Sequence, residues 1–87
     1  MLRNVYALFD DKANLFTDPF PAVNEDFAIR MFADVVAKTP IMRTNPQDFT
    51  LYCIGTFDDS TGYLSHDMRP AYEATEIVAL LDSKEST

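Results

Sequence analysis

Residues 54–65 read IGTFDDSTGYLS, and residues 7–17 read ALFDDKANLFT. Each stretch runs apolar residues into Phe-Asp-Asp, crosses a short polar gap and returns to apolar residues. Aspartate favours the start of a turn because its carboxylate accepts hydrogen bonds from nearby backbone N–H groups. Asn14 and Gly62 hold matching positions near the ends of the two gaps, and both residue types tolerate positive φ. The pattern predicts two β-hairpins, with turns at residues 10–14 and 58–62.

A helix is predicted after each hairpin. Asn24 suits an N-cap, because its side-chain oxygen can accept a hydrogen bond from a free amide of the first turn. Apolar residues then recur at spacings of three and four, which is typical of one buried helix face; they are Phe27, Ala28, Met31, Phe32, Val35 and Val36. Pro40 ends this helix because proline restricts the residue before it. Residues 71–81, after Pro70, form the second predicted helix. Its buried face is predicted to carry Ile77, Leu80 and Leu81.

These elements give an α+β fold in the order β-β-α-β-β-α, with an antiparallel sheet and both helices on one face. The 87 residues suffice for one compact domain. We assign residues 1–82 to that domain and residues 83–87 to a frayed polar tail. Residues 41–47 are predicted to be a connecting loop, and the prolines at 19 and 21 to end the first hairpin.

Matching the two halves of the chain assigns side chains to sheet faces. Ala7 and Gly55 are small, so a helix could lie close over them. The face under the helices is therefore predicted to carry Val5, Ala7, Phe9, Cys53, Gly55 and Phe57. The opposite face is predicted to carry Tyr6, Leu8, Tyr52, Ile54 and Thr56. Exposed apolar patches mark interfaces, which predicts a dimer contact, or an aromatic ligand face, at Tyr6, Leu8, Tyr52 and Ile54. The alternatives are that the chain wraps over this face or that the two faces are reversed.

The charge balance bears on nucleic acid binding. Fourteen acidic and seven basic residues give a net charge of −7, which repels phosphate backbones unless a local basic patch exists. Single strands can be held by aromatic rings beside a basic groove. The candidate DNA-binding residues are Tyr6, Tyr52, Tyr63, Lys38 and Arg43. The alternative, which the overall acidity favours, is that the basic residues are scattered solubilising charges.

No catalytic, metal or cofactor site is visible in the sequence. His66 and Asp67 are adjacent and could form an acid–base pair, but on an extended chain their side chains point apart, which favours a surface histidine. Cys53 is the single cysteine, which leaves no zinc cluster and no internal disulfide and favours a reducing, cytosolic setting. No stretch approaches a membrane span, and the charged start does not fit a signal peptide. We therefore expect a protein that is not an enzyme and binds no cofactor, metal or membrane.

Three segments in order resemble the small nonstructural protein of gokushovirus-type microviruses, which are single-stranded-DNA phages. They are VYALFDDKANLFTDPF at residues 5–20, NEDFAIRMFADVV at 24–36 and NPQDFTLYCIGTFDDSTGYL at 45–64. The resemblance implies a protein of the infected bacterium's cytoplasm with no enzymatic activity. It would act in replication or packaging of the single-stranded genome by binding single-stranded DNA or replication and packaging proteins. The alternative is a dimeric structural or adaptor module in phage assembly that does not contact DNA.

Overall fold

A computed structural model describes residues 1–85 of the chain, with side chains to residue 83. The fold is α+β, with an antiparallel sheet of five strands and three α-helices. The strands are β1 (Leu2–Asp10), β2 (Leu15–Phe16), β3 (Phe20–Ala22), β4 (Phe49–Asp58) and β5 (Leu64–Glu73). The helices are α1 (Glu25–Lys38), α2 (Pro40–Thr44) and α3 (Ala74–Glu85), with a 3₁₀ turn at Pro46–Asp48. The sheet order is β2-β1-β4-β5, and β3 also pairs with β1.

The two predicted hairpin turns are confirmed. Asn14 has φ of 58° and Gly62 has φ of 78°, and within residues 1–85 no other residue has positive φ. The Asp10 carboxylate accepts hydrogen bonds from backbone N–H groups two and three residues later. Asp58 accepts an equivalent backbone bond from Ser60. The repeated Phe-Asp-Asp therefore builds the same kind of turn twice.

Helix α1 begins where its cap predicts. Asn24 Oδ1 accepts a hydrogen bond from the Phe27 backbone N–H at 2.8 Å, which satisfies one of the free amides of the first turn. Thr39 is extended and the chain turns at Pro40. Only half of the predicted apolar stripe is buried, namely Ala28, Phe32 and Val36.

The prolines proved less disruptive than predicted. Strand β3 forms around Pro21, and β5 runs through Pro70 to Glu73, so α3 begins at Ala74 and not at Ala71. Both strands lie at edges of the sheet, where a residue without a backbone N–H need not break the pairing.

Two further predictions were wrong in detail. The predicted loop at residues 41–47 holds α2 and the 3₁₀ turn. Helix α3 continues to Glu85, so residues 83–85 of the predicted frayed tail are helical, and residues 86–87 lie outside the described part of the chain. On α3, Ile77 is buried and Leu81 packs against the core, whereas Leu80 is exposed.

The core lies between the helices and one face of the sheet. From β1 it contains Tyr6 and Leu8, which were predicted to lie on the opposite face. The alternative of reversed faces is therefore the correct one for β1. The other core members are Ala22, Ala28, Phe32, Val36, Met42, Phe49, Leu51, Cys53, Ala74 and Ile77. Burying the larger Tyr6 and Leu8 against the helices removes more apolar surface from water than burying Ala7 there would.

A bulge in β4 explains why residues predicted to share a face do not. Tyr6 lies opposite Cys53, but Val5 lies opposite Gly55, so Ile54 has no partner on β1. Side chains alternate along a strand, and one unpaired residue shifts the alternation of all that follow. Cys53 therefore faces the helices, while Gly55 and Phe57 lie on the other face with Val5.

Candidate functional site

Three aromatic rings cluster on the sheet face that turns away from the helices, called here the open face. The ring centroids of Phe9 and Phe16 are 4.7 Å apart, and that of Tyr52 lies 6.2 Å from Phe9 and 5.6 Å from Phe16. Tyr52 meets the two phenylalanines edge to face, with interplanar angles of 90° and 73°. Such tilted contacts are favourable for aromatic rings. We call these three residues the aromatic cluster.

Strand pairing assembles the aromatic cluster from three strands. The β1–β2 hairpin places Phe9 directly opposite Phe16. Ala7 lies opposite Tyr52 on the neighbouring strand, and because alanine is small the tyrosine ring can reach Phe9 and Phe16. Phe16 is 42% exposed, while Phe9 and Tyr52 are partly exposed. The cluster thus gives the open face a contiguous aromatic surface.

An apolar depression of about 210 Å³ occupies another part of the open face. Its lining residues are Val5, Pro19, Ile54, Gly55, Leu64, Ser65 and His66. Gly55 is required here because a Cβ at this position would collide with the Ser65 carbonyl oxygen on β5. A helix was predicted to lie close to this glycine, but its close neighbour is the β5 backbone.

The basic side chains are largely neutralised by carboxylates. Ion pairs join Arg3 to Asp59, Lys38 to Asp34, Arg43 to Asp82 and Arg69 to Glu25. Hydrogen bonding to Glu25 raises the pKa of Arg69. Within the described side chains, Lys12 and Arg30 form no ion pair. Lys12 belongs to the β1–β2 turn, which adjoins the Phe9–Phe16 pair.

The structure separates the residues predicted to bind DNA. Tyr6 has none of its surface exposed, so its ring cannot stack on a base, and burial raises the pKa of its hydroxyl. Lys38 and Arg43 belong to α1 and α2, which cover the opposite sheet face from Tyr52. Tyr63 is 69% exposed but adjoins the β4–β5 turn, at the other end of the sheet from Phe16. Of the five residues, Tyr52 alone lies in the aromatic cluster.

The predicted interface residues are divided in the same way. Tyr6 and Leu8 are in the core, which contradicts their placement on an exposed face. Tyr52 and Ile54 are partly exposed, and Ile54 lines the depression. Phe9 was predicted to lie under the helices and Phe16 was assigned to no face, whereas both lie on the open face. The predicted hairpin contained most of the signal: a turn over residues 11–14, one residue shorter than predicted, pairs Asp10 with Leu15 and Phe9 with Phe16.

The part of the chain that the structure describes contains no group of three or more side chains that could hold a metal ion. His66 is exposed on β5, and its side chain makes no hydrogen bond to residues 1–83. Cys53 is a buried free thiol. No helix within residues 1–85 combines the length and apolar character needed to cross a membrane.

Comparisons with known proteins give one result. Residues 3–83 match the model of the family described as Phage ORF5 protein, and this range covers all of the sheet except Leu2 and most of α3. Comparisons with curated proteins and with solved structures give no match. The match extends over nearly the whole chain, including both hairpins and the open face, and the chain therefore belongs to the Phage ORF5 protein family.

Proposed function

We propose that this phage protein comes from a gokushovirus-type microvirus and acts, without enzymatic activity, in replication or packaging of a single-stranded-DNA genome. In this proposal the open face is the contact surface, and the protein works in the cytoplasm of the infected bacterium. The aromatic cluster is the observation that carries the proposal. A soluble domain rarely leaves three neighbouring aromatic rings partly exposed without a use for them.

Single-stranded DNA is the first partner we propose for the aromatic cluster. Unpaired bases stack on aromatic side chains whatever their sequence. Lys12, in the turn beside Phe9 and Phe16, could approach a backbone phosphate. The remaining charges limit such binding, because most basic side chains already pair with carboxylates. We therefore expect weak, salt-sensitive binding dominated by stacking.

The same charge distribution favours a second candidate function. A surface with a net charge of −7 repels phosphate and suits a protein partner better. In this version the open face binds a replication or packaging protein, or a second copy, and the chain is a structural or adaptor module that never contacts DNA.

Titration of a labelled single-stranded oligonucleotide separates the two candidates. At low salt the wild-type protein is expected to give a saturable change in fluorescence anisotropy, which weakens at moderate salt. Phe16→Ala and Tyr52→Ala should each weaken binding about five- to tenfold or more, since one stacked base contributes about 1–3 kcal/mol. Tyr63→Ala is the matched control, because it removes an exposed tyrosine from the other end of the sheet. Absence of binding at micromolar protein would remove the DNA contact and leave the adaptor function.

A further inference from the structure

The unburied half of the apolar stripe on α1 forms a second exposed apolar surface. Phe27, Met31 and Val35 follow one another at spacings of four residues and are 46%, 39% and 39% exposed. They form a single ridge along the helix, next to the buried ridge that faces the sheet. Met31 and Val35 also line an apolar groove of about 260 Å³, whose other wall includes Phe20. No described element covers this ridge.

A line of alternating charges runs beside the ridge. Asp26, Arg30, Asp34 and Lys38 are also spaced by four residues, so their signs read minus, plus, minus, plus along the helix. All four are exposed. Arg30 forms no ion pair within the described side chains, and Lys38 pairs with Asp34 at 3.0 Å on the surface of the same helix. Such an exposed pair contributes little to stability, so both charges remain available to a partner.

This order of charges is complementary to itself when reversed. If a second α1 lies antiparallel, Asp26 faces Lys38 of the second copy and Arg30 faces Asp34 of the second copy. Every facing pair then has opposite sign. If the second helix lies parallel and in register, each charged residue faces the same residue of the second copy, so every facing pair has like charge. The ridge is centred on Met31, and the line of charges is centred one residue further along the helix. A single antiparallel arrangement therefore brings the two ridges into contact and also pairs the unlike charges.

We propose that the exposed ridge of α1 binds a second copy of this chain in an antiparallel, two-fold symmetric contact. Ridges of residues four apart pack against each other at about 50°, which brings Met31 of both copies to the centre. Phe27 then approaches Val35 of the second copy, and the unlike charges flank the apolar contact. A two-fold axis makes each favourable pair occur twice.

The contact does not use the open face. Helix α1 packs on the opposite side of the sheet from the aromatic cluster, so a dimer built on α1 leaves two open faces free. The inference is independent of the proposed function, and either can fail without the other.

Sedimentation of the full chain at several concentrations tests the proposal. The wild-type protein is expected to shift from monomer towards a species of twice the monomer mass at micromolar concentration. Met31→Lys should abolish the dimer, because it places a lysine of each copy at the centre of the contact. Ile41→Lys, which adds the same charge at an apolar α2 residue that is 60% exposed, should leave it intact. A wild-type chain that stays monomeric at high concentration, or a dimer lost with Tyr52→Ala but kept with Met31→Lys, would overturn the proposal.

Charge reversals test the orientation of the two helices. Arg30→Asp and Asp34→Arg each turn two attractive contacts into repulsive ones and should weaken the dimer about tenfold or more. The double variant R30D/D34R restores unlike pairs only in the antiparallel arrangement and should dimerise like the wild type. Circular dichroism checks that every variant keeps its helices. A double variant weaker than either single variant would exclude the antiparallel contact.

Discussion

Arg69 on β5 donates a hydrogen bond from Nη2 to Oε1 of Glu25 in the first turn of α1, with 2.7 Å between the two atoms. The same carboxylate oxygen accepts a hydrogen bond from the Tyr6 hydroxyl at 3.3 Å. One side chain of α1 is thereby joined to both β1 and β5. This relationship fixes the start of the helix over the sheet, at the border between the core and the solvent.

Replacing Glu25 is expected to weaken that connection modestly. Glu25→Gln keeps the size of the side chain but removes the charge, and because the pair with Arg69 is substantially exposed we expect a loss of about 0.5–1 kcal/mol in the free energy of unfolding. Urea titration measures it. Asp26→Asn is the control, since it removes a neighbouring charge in the first turn of α1 whose side chain forms no hydrogen bond or ion pair with the sheet. Equal losses for the two variants would mean that the Glu25 bonds add nothing beyond the helix dipole.

Tyr6 and Tyr52 should differ sharply in their effect on stability. Tyr6 is fully buried among the helices, so Tyr6→Ala is expected to cost about 3–5 kcal/mol through lost contacts and the cavity left behind. Tyr52 lies on the open face and keeps part of its ring in solvent, so Tyr52→Ala should cost about 1 kcal/mol. Chemical denaturation of the two variants gives both values. Losses in the reverse order would contradict the assignment of the two sheet faces.

The local elements of this fold could be predicted because their causes are local. The turn aspartates, the positive φ of Asn14 and Gly62, and the cap at Asn24 depend on side chains that bond to backbone a few residues away. The boundary between β5 and α3 could not be predicted from such local interactions. Whether a strand tolerates Pro70 depends on its being at the edge of the sheet, which is a property of the whole topology.

The existence of an open sheet face was predicted, but only two of its residues, Tyr52 and Ile54, were assigned to it correctly. A sheet covered by helices on one side leaves the other side open, and that much follows from the order of elements. Which residues of β4 beyond Cys53 lie there depends on the bulge at Ile54, because it reverses the alternation of the side chains that follow it. No local feature of the sequence predicts this bulge. It is set by the pairing of β4 with β1 and by the close approach of β5 to Gly55.

The two glycines should respond differently to substitution by alanine. At Gly55 a Cβ would meet the Ser65 backbone carbonyl, so β5 must move away, and we expect Gly55→Ala to cost about 2–3 kcal/mol, as overpacking does. At Gly62 no atom lies within 4 Å of an added Cβ, and the strain comes from its positive φ of 78°, which costs about 1–2 kcal/mol. Thermal unfolding of both variants tests the ranking. A smaller loss at Gly55 would show that β5 does not lie as close as the structure has it.

Asp58 is expected to make the fold sensitive to acid. Its carboxylate accepts hydrogen bonds from the hydroxyl and the backbone N–H of Ser60, at 2.7 Å and 3.0 Å, and these bonds lower the pKa of Asp58 from 3.8 to about 2. A carboxyl group whose pKa is lower in the folded than in the unfolded state contributes stability above the unfolded pKa. That contribution is lost as the pH falls from 3.8 to about 2.

The contribution of the Ser60 hydroxyl to this acid sensitivity can be isolated with one substitution. Ser60→Ala removes the shorter of the two bonds, so the pKa of Asp58 should rise towards 3.8 and the loss of stability on acidification should become smaller. Carboxyl NMR titration reports the pKa directly, and urea unfolding at several pH values reports the stability. Ser65→Ala, a serine on β5 with no bond to Asp58, is the control for effects on the other carboxylates. An unchanged Asp58 titration in Ser60→Ala would show that the hydroxyl does not hold the carboxylate in its charged form.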